Sequence, residues 1–327
     1  MIINYRCGIE IEDEKIAMRS LRRLSGAFFL GLCALTSAAR ADEPLFGFVY
    51  TTDLLPADKF EVEQWGTLRH QKAHGNFNLW EGKSEVSYGV TDDFQLSAYL
   101  TYDKTNAYHN APDYSTASPE QFSAEYPNPD SHFKASKFIG VSVEALYRVL
   151  SPYTDPIGLA FYLEPTIGND FREIEARVIL QKNYLDDRLV FALNATWAPE
   201  IRYLPPDPNA DPGSVAASQN TNVETDVNFG FAASYRFAPN WSFGWEIQNE
   251  REINGWAVAA RSQWMGNATY TGPTLHYGGD HFFATLTAWE QLPWANNYMD
   301  SSVISGGRDY DVDFEKYRFR LKLGYYF

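Results

Sequence analysis

Charged residues placed at every second position, and a few scattered histidines, are the groups in this sequence with chemistry to offer. The charges that share one parity are Glu61, Glu63, Arg69, Glu81, Lys83, Glu85, Glu144, Arg148, Glu164, Glu173, Glu175, Arg177, Glu224, Asp226, Arg236, Glu246, Arg318, Arg320 and Lys322. A wall of such groups either lines a water-filled passage with a charged constriction or fills the space with its own ion pairs. Acids outnumber bases on it, so a water-filled version favours cations. His70 and His74 lie close together, with His109 and His132 beyond them. Neutral imidazoles bind Zn²⁺ or Cu²⁺, but these four lack tight ligand spacing. His70 and His74 are therefore weak candidates, and no metal or other cofactor is expected.

Nucleophilic catalysis needs a nucleophile oriented by a base, itself oriented by a third group. No Ser-x-x-His or Gly-x-Ser-x-Gly spacing occurs, so no catalytic residue is expected. Both cysteines, Cys7 and Cys33, fall in the first 41 residues. Beyond them a disulfide, a zinc thiolate or a cysteine nucleophile is excluded. The formal charge of −15, from 27 basic and 42 acidic residues, lacks the basic footprint of a nucleic-acid partner.

The elements that would position these charges are strands. Phe94, Leu96, Ala98, Leu100 and Tyr102 alternate with polar or small residues, as do Ile139 to Val149, Val227 to Phe237, Trp241 to Ile247 and Phe319 to Phe327. That period of two marks strands with one apolar face. Strands over about 60–70, 77–90, 94–102, 138–150, 157–167, 173–182, 188–198, 223–237, 241–250, 270–277, 281–290 and 314–327 number twelve. The short turns at 91–93, 151–156, 183–187, 238–240 and 278–280 all follow even-numbered strands. The long polar segments 103–137, 199–222, 251–269 and 292–313 all follow odd ones. Short turns on one end and long loops on the other are the plan of an outer-membrane barrel with both termini periplasmic. A soluble sandwich alternates too, but has no reason to sort its loops by parity.

Aromatic residues sharpen the choice. Tyr88, Phe94, Phe237, Trp241 and Tyr325 to Phe327 sit at the short-turn end, and Trp80, Tyr102, Trp197 and Trp289 at the other. Two such girdles are what the bilayer interfaces select. The expectation is an all-β, transmembrane, antiparallel up-and-down barrel over 42–327. Its charged parity faces inward, because a base facing lipid near the midplane costs about 2–4 kcal/mol. Closure is expected to set Glu61 and Glu63 beside Arg318 and Arg320.

The start of the chain carries a different signal. From Met18 a basic stretch (Arg19, Arg22, Arg23), an apolar run from Gly26 to Leu35 and the triplet Ala39-Arg40-Ala41 read as a signal peptide over 18–41. Residues 1–17, with Glu10, Glu12, Asp13 and Glu14, are wrong for a targeting segment and read as an over-extended start.

The ending Tyr317-Arg318-Phe319-Arg320-Leu321-Lys322-Leu323-Gly324-Tyr325-Tyr326-Phe327 resembles the C-terminal strand of Gram-negative outer-membrane β-barrel proteins. That resemblance implies that Tyr325 and Phe327 form an assembly signal read by the barrel-assembly machinery. The opening Pro44-Leu45-Phe46-Gly47-Phe48-Val49-Tyr50-Thr51-Thr52-Asp53, with Glu61 to Trp65, resembles an uncharacterised proteobacterial outer-membrane barrel family. The partners implied are outer-membrane lipid, the assembly machinery and small solutes. Passive passage of ions or small polar solutes, cations preferred, is the expected role. A non-conducting barrel plugged by ion pairs, serving surface binding or envelope structure, is the alternative, and a barrel enzyme acting on lipid or peptide comes third.

Overall fold

A computed structural model describes residues 44–72, 75–108, 132–204, 212–213, 220–256, 264–293, 302–305, 308–311 and 314–327. The expected signal peptide, the expected over-extended start, His74, His109 and most of the long loops lie outside the described residues. Strands run β1 (Phe60–His70), β2 (Asn76–Thr91), β3 (Phe94–Tyr108), β4 (Phe133–Leu150), β5 (Gly158–Gly168), β6 (Phe171–Tyr184) and β7 (Leu189–Leu204). They continue with β8 (Asn220–Ala238), β9 (Trp241–Asn254), β10 (Trp264–Gly278), β11 (Phe282–Gln291), β12 (Ser302–Ser305), β13 (Arg308–Asp311) and β14 (Tyr317–Tyr326). Twelve of these, β1 to β11 and β14, pair antiparallel with their sequence neighbours, and β1 pairs with β14 to close the barrel.

The apolar parity faces outward. Val62, Val86, Leu96, Leu100, Val141, Val143, Phe161, Leu163, Phe231, Phe243, Leu321 and Leu323 are all exposed on the outer wall. A soluble protein rarely shows contiguous apolar patches beyond a few hundred Å², so this band marks a wall made for lipid. It places the protein in the outer membrane as a β-barrel. The inner parity is polar along the same strands, as β3 shows with Gln95, Ser97, Asp103 and Thr105 buried.

Four strands are longer than their apolar faces. β3 reaches Tyr108 rather than residue 102, β4 starts at Phe133 rather than 138, β7 reaches Leu204 and β8 starts at Asn220. Above the bilayer a strand no longer needs an apolar face, yet its backbone still gains from pairing, so the ladder outlasts the hydrophobic signal. The segment 292–313 also departs from a plain loop, because it contains the hairpin β12–β13. Two connections at the long-loop end are short: residues 71–75 after β1, and 169–170 after β5.

The girdles are partly as expected. Trp80, Tyr102 and Trp197 face outward at the loop end, and Phe237, Trp241 and Tyr325 at the turn end. Trp289 does not belong to the outer set. It is only 2% exposed and turns into the barrel, because the parity that buries Thr285 and Thr287 on β11 carries residue 289 inward with them.

A refolded barrel should migrate differently on a gel before and after boiling. Val143→Arg, opposite Ala98 and midway between the girdle positions Phe94 and Tyr102 on the lipid face, should lower its stability in bilayers by about 2–4 kcal/mol, read by urea unfolding in lipid vesicles.

Candidate functional site

The charges expected on the inner wall fall into three levels. Glu61, Glu63, Glu85, Glu144, Glu246 and Lys322 are buried in the turn-side half. Glu81, Lys83, Glu173, Glu175, Arg177, Asp226, Arg318 and Arg320 line a cavity of about 330 Å³ in the loop-side half. Arg148 and Arg236 sit at the turn-side rim, where Arg148 grips the β2–β3 turn through Asp93 Oδ1 and the Asp92 carbonyl.

What separates the two halves is a piece of the chain itself. Residues 44–55 enter the lumen as an arch, with Phe46, Val49, Leu54 and Leu55 almost wholly buried. The arch has no strand to pair with, so its backbone groups need side-chain partners from the wall. Glu246 supplies more than any other residue. Its Oε1 accepts from the Gly47 N–H at 2.9 Å, and its Oε2 from the Phe48 and Val49 N–H groups at 2.9 and 3.0 Å. Thr274 and Thr287 hydroxyls donate to the same Oε1 at 2.5 and 3.1 Å. Five donors converge on one carboxylate, which is how a charge tolerates complete burial.

Neutral amides hold the rest. Asn194 accepts from the Tyr50 N–H at 2.7 Å and donates to its carbonyl at 2.9 Å. Gln181 accepts from the Thr52 N–H at 2.6 Å, and Gln95 from the Leu55 N–H at 2.8 Å. At the other foot, Thr285 donates to the Pro44 carbonyl at 2.6 Å. Arg320 donates to the Gly47 carbonyl at 3.0 Å and lies 3.8 Å over the Phe48 ring, which itself stacks on Trp289. Residue 47 must be glycine here, since a Cβ would fall 2.5 Å from the Thr287 hydroxyl. Beside the arch remains a gap of about 60 Å³ lined by Glu61, Glu63, Glu85, Glu144 and Lys322 among others, room for a few waters.

At the seam the register corrects an expectation. Glu61 lies opposite Tyr326 and Glu63 opposite Gly324, while Arg320 faces Thr67 and Arg318 faces Arg69. Both chain ends start from the same rim, so antiparallel pairing puts the first residues of β1 against the last of β14. Glu63 instead faces Glu85 across the β1–β2 pair. Arg69 and Arg318, two like charges face to face, are bridged by Glu315, a residue just before β14. Arg69 also meets Glu81 at 2.8 Å, and Arg318 meets Glu250 at 2.6 Å while lying 4.0 Å over the Tyr270 ring. Burial pushes the Glu315 carboxyl up, but the guanidinium groups of Arg318 and Arg69 more than reverse that and bring it to about 2.

Sequence reasoning missed Asp103, Glu200, Arg202, Glu250, Glu252 and Glu315, all of them cavity-lining or seam residues. Most lie where apolar alternation had ended, although the alternation of strand parity through Asp103 and Thr105 could have carried the wall further. The arch was visible only as a resemblance. Its signals in the sequence are a compact apolar cluster without alternation and three inward amides, Gln95, Gln181 and Asn194. His70 hydrogen-bonds Asn78 through Nδ1 at 2.8 Å. Tyr325 and Phe327 face outward with their rings 4.9 Å apart, and the Phe327 N–H donates to the Phe60 carbonyl.

With this geometry in view, the comparisons with known proteins fall into place. A family described as a family of unknown function, DUF6662, matches residues 38–327. The chain belongs to DUF6662. No curated protein matches its sequence. Among solved structures it is similar to an outer membrane channel from Pseudomonas putida F1, at 11% identity and a TM-score of 0.53, over 84% of this chain and 98% of that one. It is also similar to the NanC porin (12% identity, TM-score 0.44, 81% and 98% covered) and to the β domain of the Bordetella autotransporter BrkA (11%, 0.48, 83% and 100%). At these identities the likeness is one of fold.

Glu246→Ala leaves three backbone N–H groups of the DUF6662 arch without their acceptor. It should destabilise the barrel by about 1–3 kcal/mol and open Phe46, Phe48 and Tyr50 to chymotrypsin, both read against the intact protein. Glu315 is held below its ordinary carboxylate value, so its contribution is full above about pH 4.5 and is lost as pH falls toward 2. The urea midpoint should therefore drop less between pH 6 and pH 2.5 in Glu315→Gln than in the intact chain.

Proposed function

We propose that this barrel passes small polar solutes, cations in preference, through a lumen that its own N-terminal arch closes at rest. The observation that carries the reading is the way the arch is held. It is seated by hydrogen bonds to wall side chains, with no strand pairing to the barrel, so it can leave without breaking the barrel. Behind it waits a polar cavity lined by nine carboxylates and six basic side chains. Low-dielectric walls focus the field of such an excess, and a field of that sign concentrates cations. The acidic gap beside the arch extends the same chemistry toward the turn-side rim. The Pseudomonas putida barrel of similar fold is an outer membrane channel, and passage is the role we carry over to this chain.

The competing reading is a non-conducting barrel, used for surface binding or envelope structure. The arch and the paired charges of the seam favour it as directly as they favour gating, and the alternative of a filled lumen is here a filled half-lumen. The two readings part when the arch is released.

Planar-bilayer recording of the refolded barrel, residues 42–327, decides between them. The intact protein should show rare or brief openings, and Glu246→Ala frequent, discrete steps. The reversal potential in a salt gradient should favour cations and move toward neutrality in Glu173→Gln/Glu175→Gln. If Glu246→Ala is folded and inserted yet electrically silent, the passage reading fails.

A further inference from the structure

The outer wall carries one feature that neither the lumen nor passage explains. On the lipid face of β1 and β2, Gly66 and Gly82 are direct cross-strand partners. Two side chains are thus missing side by side in a wall otherwise studded with large apolar groups. A Cβ at Gly66 would meet nothing within 4 Å. The result is a groove of about 700 Å³, walled by Trp80, Tyr102, Phe138, Leu321 and Leu323.

The groove is built, and its floor shows how. Gln64 faces lipid two residues below Gly66, where an amide would normally be costly. Its Nε2 shares two N–H groups among the Trp65 and Lys83 carbonyls at 2.8 and 2.7 Å and the Tyr102 hydroxyl at 2.9 Å. Its Oε1 accepts from Ser84 at 2.7 Å. The bond to Tyr102 draws that ring down across Gly82, where it lies against the position a Cβ would take. Tyr102 therefore lies flat along the outer wall and forms one side of a trough.

Above the trough the outward positions change character. Lys104 follows Tyr102 on the same face of β3, paired with Ser136, and Lys134 lies on the diagonal of that pair. Such diagonal neighbours are about 7–8 Å apart at the backbone, so two long side chains can close on one anion. The described outward positions of β1 to β4 above this level are Leu68, His70, Asn76, Asn78, Trp80, Lys104, Asn106, Tyr108, Lys134 and Ser136. None is a carboxylate, in a chain of net charge −15.

We propose that this wall binds a phosphorylated, acylated glycolipid of the outer leaflet, one acyl chain in the Gly66–Gly82 groove and a phosphate on Lys104 and Lys134. The order of the parts fits that occupant. Apolar volume runs from the Trp80–Tyr102 belt that marks the interface down to Leu323, and the paired cations follow one step above the belt, at headgroup height.

The test is native mass spectrometry of the detergent-solubilised barrel titrated with bisphosphorylated, six-acyl lipid A, with phosphatidylethanolamine as the control lipid. The intact protein should retain one lipid A and bind phosphatidylethanolamine much more weakly. Gly66→Leu fills the groove into open space, and Lys104→Ala/Lys134→Ala removes the anion contacts. Each should weaken lipid A binding about tenfold, with heat-modifiable migration unchanged. Equal retention by both variants, or equal binding of phosphatidylethanolamine, overturns the proposal. So does a dimer that Gly66→Leu converts to monomer while lipid A fails to compete, since the wall would then be covered by a second copy.

Discussion

Pairing of β1 with β14 is the interaction on which the interior depends. A bilayer offers no partner to an open strand edge, so a spanning sheet must close. Closure here joins the two ends of the barrel at one rim, and the register that follows is set by backbone counting alone. It brings Arg69 and Arg318 face to face, an arrangement that repels unless a third group intervenes. Glu315 intervenes, with Glu81 and Glu250 on either flank. Each charge at the seam is thus a consequence of its neighbour: without Glu315, Arg69 keeps Glu81 and Arg318 keeps Glu250, but nothing stands between the two guanidinium groups.

A closed wall also creates a second problem, because twelve strands enclose space that must hold something. The arch fills the turn-side half of it. A chain segment inside a barrel brings peptide groups away from water, and each needs a partner. The wall answers with residues that pair a backbone without requiring a strand: one carboxylate for three successive N–H groups, and amides that donate as well as accept. The loop-side half has no such occupant among the described residues and keeps its charges around a cavity. The division of labour along the axis is therefore polar cradle below and acidic chamber above.

How much of this was legible in the sequence follows from what each feature costs. The inward parity was readable from Glu144, Glu173 or Arg318 because lipid penalises a charge that faces it, most of all near the midplane. Strand number was readable for the same reason, through the apolar residues between those charges. The strand ends were not, since Asp103 and Thr105 continue a ladder that the bilayer no longer enforces. Trp289 misled because an indole suits an interface and a ring stack equally, and only its parity on β11 separates the two. The seam register needed the rim as a common origin. Phe46, Phe48 and Val49 carry no period at all, because an arch held by side chains obeys neither the two-residue nor the 3.6-residue rule.

The sites that hold the arch are spread around the circumference: Gln95 on β3, Gln181 on β6, Asn194 on β7, Glu246 on β9, Thr285 on β11 and Arg320 on β14. A wall that lacks any of these six strands lacks part of the seat, and Arg320 is on β14, the strand that closes the ring on β1. In biogenetic terms, the first residues of the folded barrel gain their full set of contacts only when the last strand is in place. The closed circumference is thus a template for the arch, and the contact between Arg320 and the Gly47 carbonyl ties the beginning of the folded chain to its final strand.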